Sequence, residues 1–174
     1  MILNRHGKIT WTLAALVVFT GTAIAAPATC QTASSTGQSR EAAKLLADIR
    51  MDARQVRAHS WRWAMLAEDQ TATWYNFDKQ WNEIQFPVKD MSAKLVRLED
   101  MGPNLPLWEQ KAIAGSKPLI ADIAGKTHSL RTQLNQYYAN LSNPLSSTIT
   151  GDDSRVLARD AGRLLRIVER PQAT

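Results

Sequence analysis

The stretch LAEDQTATWY, residues 66–75, decides the fold. Before it, Leu46, Ile49, Ala53, Val56, Ser60, Trp63 and Ala67 follow one another at steps of three and four. The same register passes through Gln70 and Trp74 and continues as Phe77, Trp81, Ile84, Val88, Met91, Leu95 and Leu98. That spacing places the positions on one helical face. Two readings follow. One is a single helix over 39–101, about 90 Å long at 1.5 Å per residue. The other is two helices joined near residues 69–72. The absence of Gly and Pro there favours continuity. Against it, Asp69, Gln70 and Thr71 are mediocre helix formers, and Asp69, Thr71 or Thr73 could cap a new helix. A lone amphipathic helix cannot cover its own apolar face. The hairpin is therefore the preferred reading, with helices over 39–68 and 73–101.

Further along, Pro87 falls inside the second helix, where it removes a backbone donor and is expected to kink the element near Gln85 and Phe86. Met101-Gly102-Pro103-Asn104 is the clearest stop in the chain, with Gly suited to the left-handed cap and Pro barring continuation. Pro106 then suits the first turn of a third helix over 106–141. Its inward face is Ile113, Ile120, Ile123, Thr127, Leu130, Leu134, Tyr137 and Leu141. Gly115 and Pro118 imply either a kink or a short helix followed by a long one. SNPLSSTITGDDS, residues 142–154, carries the turn signals Asn143-Pro144 and Gly151. STIT, residues 147–150, could be locally extended. Asp152, Asp153 or Ser154 could cap a last helix over 153–170, which buries Val156, Leu157, Ala161, Leu164, Leu165 and Val168 before Arg170-Pro171. The expected fold is all-α: an antiparallel, up-and-down four-helix bundle with coiled-coil-like seams and kinks near Pro87 and Pro118.

Residues 1–25 carry a separate message. Arg5 and Lys8 precede an apolar run centred on Leu13 to Phe19, and Ala23 and Ala25 stand in an A-x-A arrangement. This is the pattern of a secretory signal peptide. Cleavage is expected after Ala25, with Ala26 the neighbouring alternative. The run is short for a membrane span, which needs roughly 20 residues; an uncleaved anchor is the other reading. No second segment has the character of a span. Residues 26–38, APATCQTASSTGQ, are small and polar and read as a flexible leader. Cys30 is the only cysteine, so no intrachain disulfide and no C-x-x-C-H haem attachment exists. Pro27, Ala28 and Thr29 before it do not make a lipidation site.

Of the 174 residues, about 150 would remain after signal removal, enough for one domain with a real core. Losing Arg5 and Lys8 would lower the formal charge by two from +5. Lys and Arg are interleaved with Asp and Glu, without a run of five or six. A nucleic-acid partner, which wants a basic stripe, is not expected; an anionic envelope surface is a weaker candidate.

Several segments carry a resemblance. They are Arg57 to His59 late in the first helix, the acidic pair Glu68-Asp69, Trp74 at the start of the second helix, and PLWEQKAI, residues 106–113. In these the chain resembles small exported helical proteins of acidobacteria that have no assigned activity. The resemblance covers most of the mature chain and implies a break before Trp74. It gives no role to Trp61 or Pro87 and carries over no catalytic or ligand residue.

Candidate chemistry is sparse. His59 and His128 neighbour the seam positions Ser60 and Thr127. In an up-and-down bundle the first and third helices run the same way, so the two imidazoles could lie at one height and hold a haem or, with carboxylate help, zinc. This cofactor- or metal-binding bundle is the alternative reading. The di-iron pattern needs Glu three positions before each His; Val56 and Gly125 stand there instead. Phosphate loops, zincin motifs and nucleophile elbows are missing. Glu68 and Asp69 are adjacent and point apart on a helix, and Glu109 reads as paired with Lys111 or solvated. Enzymatic activity is not expected, and no catalytic, cofactor-binding or metal residue is assigned. Met91 fits the core, and the spread of Met51, Met65 and Met101 does not suit a copper site.

Recognition is the remaining class. Trp61, Tyr75, Asn82 and Phe86 fall beside the seam rather than on it. Trp61, Trp63, Trp74 and Tyr75 should gather near the hairpin turn, with Tyr137 and Tyr138 of the third helix at the same pole. Trp and Tyr suit interfaces because each joins an apolar body to a polar tip. The expected function is an exported, periplasmic bundle for protein interaction or envelope scaffolding, its partner being a second copy (a homodimer) or an envelope protein.

Overall fold

The computed structural model describes residues 29–140 and 149–169. The expected signal peptide over 1–25 with its cleavage site, the Asn143-Pro144 turn and the Arg170-Pro171 stop lie outside the described residues. Four helices form: α1 (Thr29–Glu68), α2 (Trp74–Met101), α3 (Leu107–Ala139) and α4 (Asp152–Val168). A single 3-10 turn, Gly102–Asn104, separates α2 from α3. Among the described residues there is no strand; Ile149 and Thr150, the described end of STIT, belong to no regular element.

The hairpin reading holds. Helix α1 ends at Glu68, and the five residues before Trp74 form a turn built from their own side chains. The Asp69 carboxylate accepts from the Thr71 backbone N–H (2.8 Å) and hydroxyl (2.7 Å), an Asx turn that competes with helix. The Ala72 N–H returns to the Asp69 carbonyl at 3.0 Å. Thr73, in extended backbone, then begins α2. The Asn76 side-chain oxygen accepts from both the Thr73 N–H (2.9 Å) and its hydroxyl (2.6 Å), filling the role of the third-position residue in a capping box.

The stop after α2 is conformational. Gly102 has φ 52° and ψ −138°, a backbone state open to Gly and strained for other residues. Helix α1 begins ten residues before its expected start, so the flexible leader expected over 26–38 is helical from Thr29. Pro27 is the last proline before it, and the small residues that follow, lacking bulk, do not forbid helix. Helices α2 and α3 each run through an internal proline, Pro87 and Pro118, as single elements. Pro87 is buried, so the carbonyl of Glu83 loses its helical donor on a face packed into the bundle.

Packing neighbours are α1 with α2, α2 with α3, α3 with α4 and α4 with α1. Helices α1 and α3 are therefore diagonal, as are α2 and α4. Ion pairs fix the directions. Arg97 late in α2 meets Glu41 early in α1, Arg131 late in α3 meets Asp78 early in α2, and Arg155 early in α4 meets Glu68 at the end of α1. Each adjacent pair is antiparallel, the up-and-down topology.

The inward faces follow the spacing, but on α4 Val156 and Leu165 are only partly buried. Ile49, Val56, Trp63, Ile84, Met91, Leu98, Ile123, Leu130, Leu134, Leu157 and Leu164 are fully buried. Ser60, Ser116 and Thr127 interrupt these faces without an orphaned hydroxyl, since each donates to the carbonyl four residues back (2.6, 2.7 and 2.9 Å). Gly151 lets the start of α4 lie against the α1 backbone: a Cβ there would meet the Ala64 Cα and carbonyl at 3.4 Å. Among the described residues, no helix is long and apolar enough to cross a membrane.

Candidate functional site

The aromatic residues of α1, α2 and α3 converge at the hairpin pole. Trp63 is fully buried and meets Phe77 edge-on, ring centroids 5.2 Å apart. Phe77 faces Tyr137 at 6.5 Å, and Trp74 faces Tyr138 at 5.1 Å. The gradient runs outward: Trp63 and Phe77 belong to the core, Trp74 and Tyr137 are half-buried, and Tyr75 and Tyr138 are 68% and 59% exposed. Met65, 69% exposed, lies one turn before the hairpin. The antiparallel order of α1, α2 and α3 brings these side chains to one end. Trp74, packed on the core, thus supports the exposed Tyr138 ring, an arrangement that reduces the ordering cost of binding.

The two histidines occupy different flanks of α2. His59 Nδ1 donates to Gln80 Oε1 at 3.0 Å, and its Nε2 is 3.9 Å from Glu83 Oε2. His128 lines a groove of about 360 Å³ between α2 and α3, with Trp81, Gln85 and Val88. The diagonal placement of α1 and α3 explains the divergence. Each helix faces α2, but on a different side. No group of three or more His, Cys, Asp or Glu is placed to hold a metal ion among the described residues. Arg131, over the Trp81 ring at 4.4 Å and 3.1 Å from Asp78, closes one end of that groove.

The carboxylates considered for chemistry are dispersed. Glu68 pairs with Arg155, and Asp69 serves the turn. Glu109 departs from expectation. It is 1% exposed rather than solvated or paired with Lys111. Its Oε1 accepts from Ser39 Oγ at 3.0 Å, while Oε2 has no hydrogen-bond partner among the described residues. The inward position follows from the register: Glu109 precedes Ile113 by four residues on the same face. Its place in the first turn of α3 suits a negative charge.

One cluster escaped the sequence reading, which found basic residues scattered. Arg57 and Trp61 of α1 face Arg159, Gly162, Arg163 and Arg166 of α4 across a cleft of about 270 Å³. Trp61 is 47% exposed. The available signal was the run Arg155, Arg159, Arg163, Arg166, whose steps of four, four and three mark one helical stripe. Three acids, Asp152, Asp153 and Asp160, hide the run in a linear charge count. Comparison with family models, curated proteins and solved structures finds no match for this chain.

Proposed function

We propose that this chain is an exported, periplasmic helical interaction protein, of the kind represented by the small acidobacterial proteins it resembles. Its hairpin pole engages a second copy or an envelope protein. The observation that carries the reading is the pair of exposed tyrosines at this pole, Tyr75 and Tyr138, the latter stacked on Trp74, which packs against the core. A tyrosine held this way brings large contact area with few torsions left to freeze. The N-terminal sequence pattern supports export, and the absence of catalytic motifs from the sequence favours recognition over chemistry.

The test is site-specific photocrosslinking in cells, with the probe at position 75 or 138 and a control at exposed Asp122. A defined crosslinked species at both pole positions, absent at the control, is expected. Light scattering of the purified chain separates a homodimer from a foreign partner. In the dimer case, the Tyr75→Ser/Tyr138→Ser double substitution weakens association at least tenfold. A monomer at every concentration with no pole-specific crosslink would sink the reading.

A further inference from the structure

We propose that the cleft between α1 and α4 is a binding site for a multiply charged phosphate-type anion, independent of the hairpin pole. Four arginines, Arg57, Arg159, Arg163 and Arg166, line one cleft of about 270 Å³. Arg163 is matched by Asp160 at 3.2 Å. The other three have no carboxylate partner among the described residues. Arg155, the next basic residue along α4, is already held by Glu68 and Asp152 and does not line the cleft. Elsewhere, five cations meet acids across helices: Lys94 with Asp52, Arg97 with Glu41, Lys117 with Glu99, Lys126 with Asp153 and Arg131 with Asp78. The α1–α4 cleft instead gathers three arginines that form no ion pair among the described residues.

Like charges in one cleft repel, and an anion relieves the repulsion. Three unmatched charges favour a dianion or polyanion over a single carboxylate. The guanidinium fork fits phosphate oxygens in a bidentate manner. Space is provided by Gly162, where a Cβ would already lie 3.9 Å from Arg57 Nε, so larger side chains would fill the gap between α1 and α4. Trp61 adds an exposed indole face at the cleft wall, suited to an apolar or planar body attached to the phosphate. The shared chemistry is a phosphoryl group with two or more charges; it can be a free phosphorylated molecule or a lipid headgroup.

The test uses the chain from residue 26 onward in a phosphate-free buffer of fixed ionic strength. Calorimetric titration with pyrophosphate examines the free ligand. Sedimentation with vesicles of phosphatidic acid, against phosphatidylcholine alone, examines the headgroup. The Arg57→Gln/Arg159→Gln variant alters exposed side chains and should fold. It is expected to weaken pyrophosphate or vesicle binding at least tenfold. The control Arg50→Gln/Arg54→Gln carries the same loss of charge on α1, outside the cleft, and should stay within twofold of the parent. Binding that quenches or shifts indole fluorescence in the parent and not in Trp61→Phe places the ligand beside that residue. Pyrophosphate binding alone assigns a free ligand, and vesicle binding alone assigns a headgroup. No binding in either arm, or equal loss in both double variants, overturns the proposal.

Discussion

Asp52 shows how one side chain reports on the packing of two helices. It lies on α1, 9% exposed, with Lys94 Nζ of α2 at 2.5 Å from its carboxylate. Burial pushes its pKa above the ordinary 3.8; the Lys94 hydrogen bond and charge oppose this, and Asp90 and Asp48 add to the rise. Desolvation therefore outweighs the pairing. A raised folded pKa means that the folded state holds the proton more tightly than the unfolded state. The contribution to stability is fully present below pH 3.8 and is lost as pH rises through the folded value. Melting temperatures of the parent minus those of Asp52→Asn should accordingly fall as pH rises through that window. A difference that grows with pH would show the ion pair to dominate. Lys94→Met isolates the other half of the balance. It should cost about 1–3 kcal/mol at neutral pH by leaving the carboxylate without its donor, and less in acid, where Asp52 is protonated.

At the scale of elements, the turn between α1 and α2 is held by local polar chemistry rather than by Gly or Pro. Asp69 has its pKa lowered by the two Thr71 hydrogen bonds, side chain first and backbone second. Its stabilising contribution is present above pH 3.8 and is lost as pH falls through the lower folded value. Asp69→Ala should lower the melting temperature at neutral pH, and the gap from the parent should close in strong acid. A gap that stays constant with pH would locate the effect in helix propensity instead. This turn was legible because Asp69, Thr71 and Thr73 are cap residues where the hydrophobic stripe passes through Gln70. The start of α1 was not legible, because TCQTASSTG has no apolar face and ends in Gly37, so composition alone reads it as loose. Glu109 was misread for a related reason. Its charge argued for solvent, while its register pointed inward, and the register prevailed.

At the scale of the whole molecule, helical spacing defines which face of each helix turns inward but not which neighbour it meets. The residues of the aromatic pole were legible because direction alone places them: antiparallel α2 brings Trp74 and Tyr75 beside the end of α1, and α3 returns Tyr138 to the same pole. The arginine cleft needed the ring order as well, because Arg57 comes from α1 and its companions from α4. The same ring order separates His59 from His128, which direction alone had placed at one height. It also makes α4 the closing wall, packed on both α1 and α3. Leu157, Leu164 and Ala161 are fully buried on it and Val168 nearly so. Burying a Leu or Val side chain stabilises by about 1.5–3 kcal/mol, so losing α4 removes an amount comparable to a typical domain's whole margin of about 5–15 kcal/mol. It also bares the matching faces of α1 and α3. A chain ended after Asn140 should therefore lose its cooperative thermal transition by circular dichroism, or keep it only by associating through the bared face. Size-exclusion chromatography with light scattering distinguishes these outcomes. A truncated chain that remained monomeric and melted cooperatively would show that α1, α2 and α3 form a core without α4, and the closed ring would not be the unit of stability.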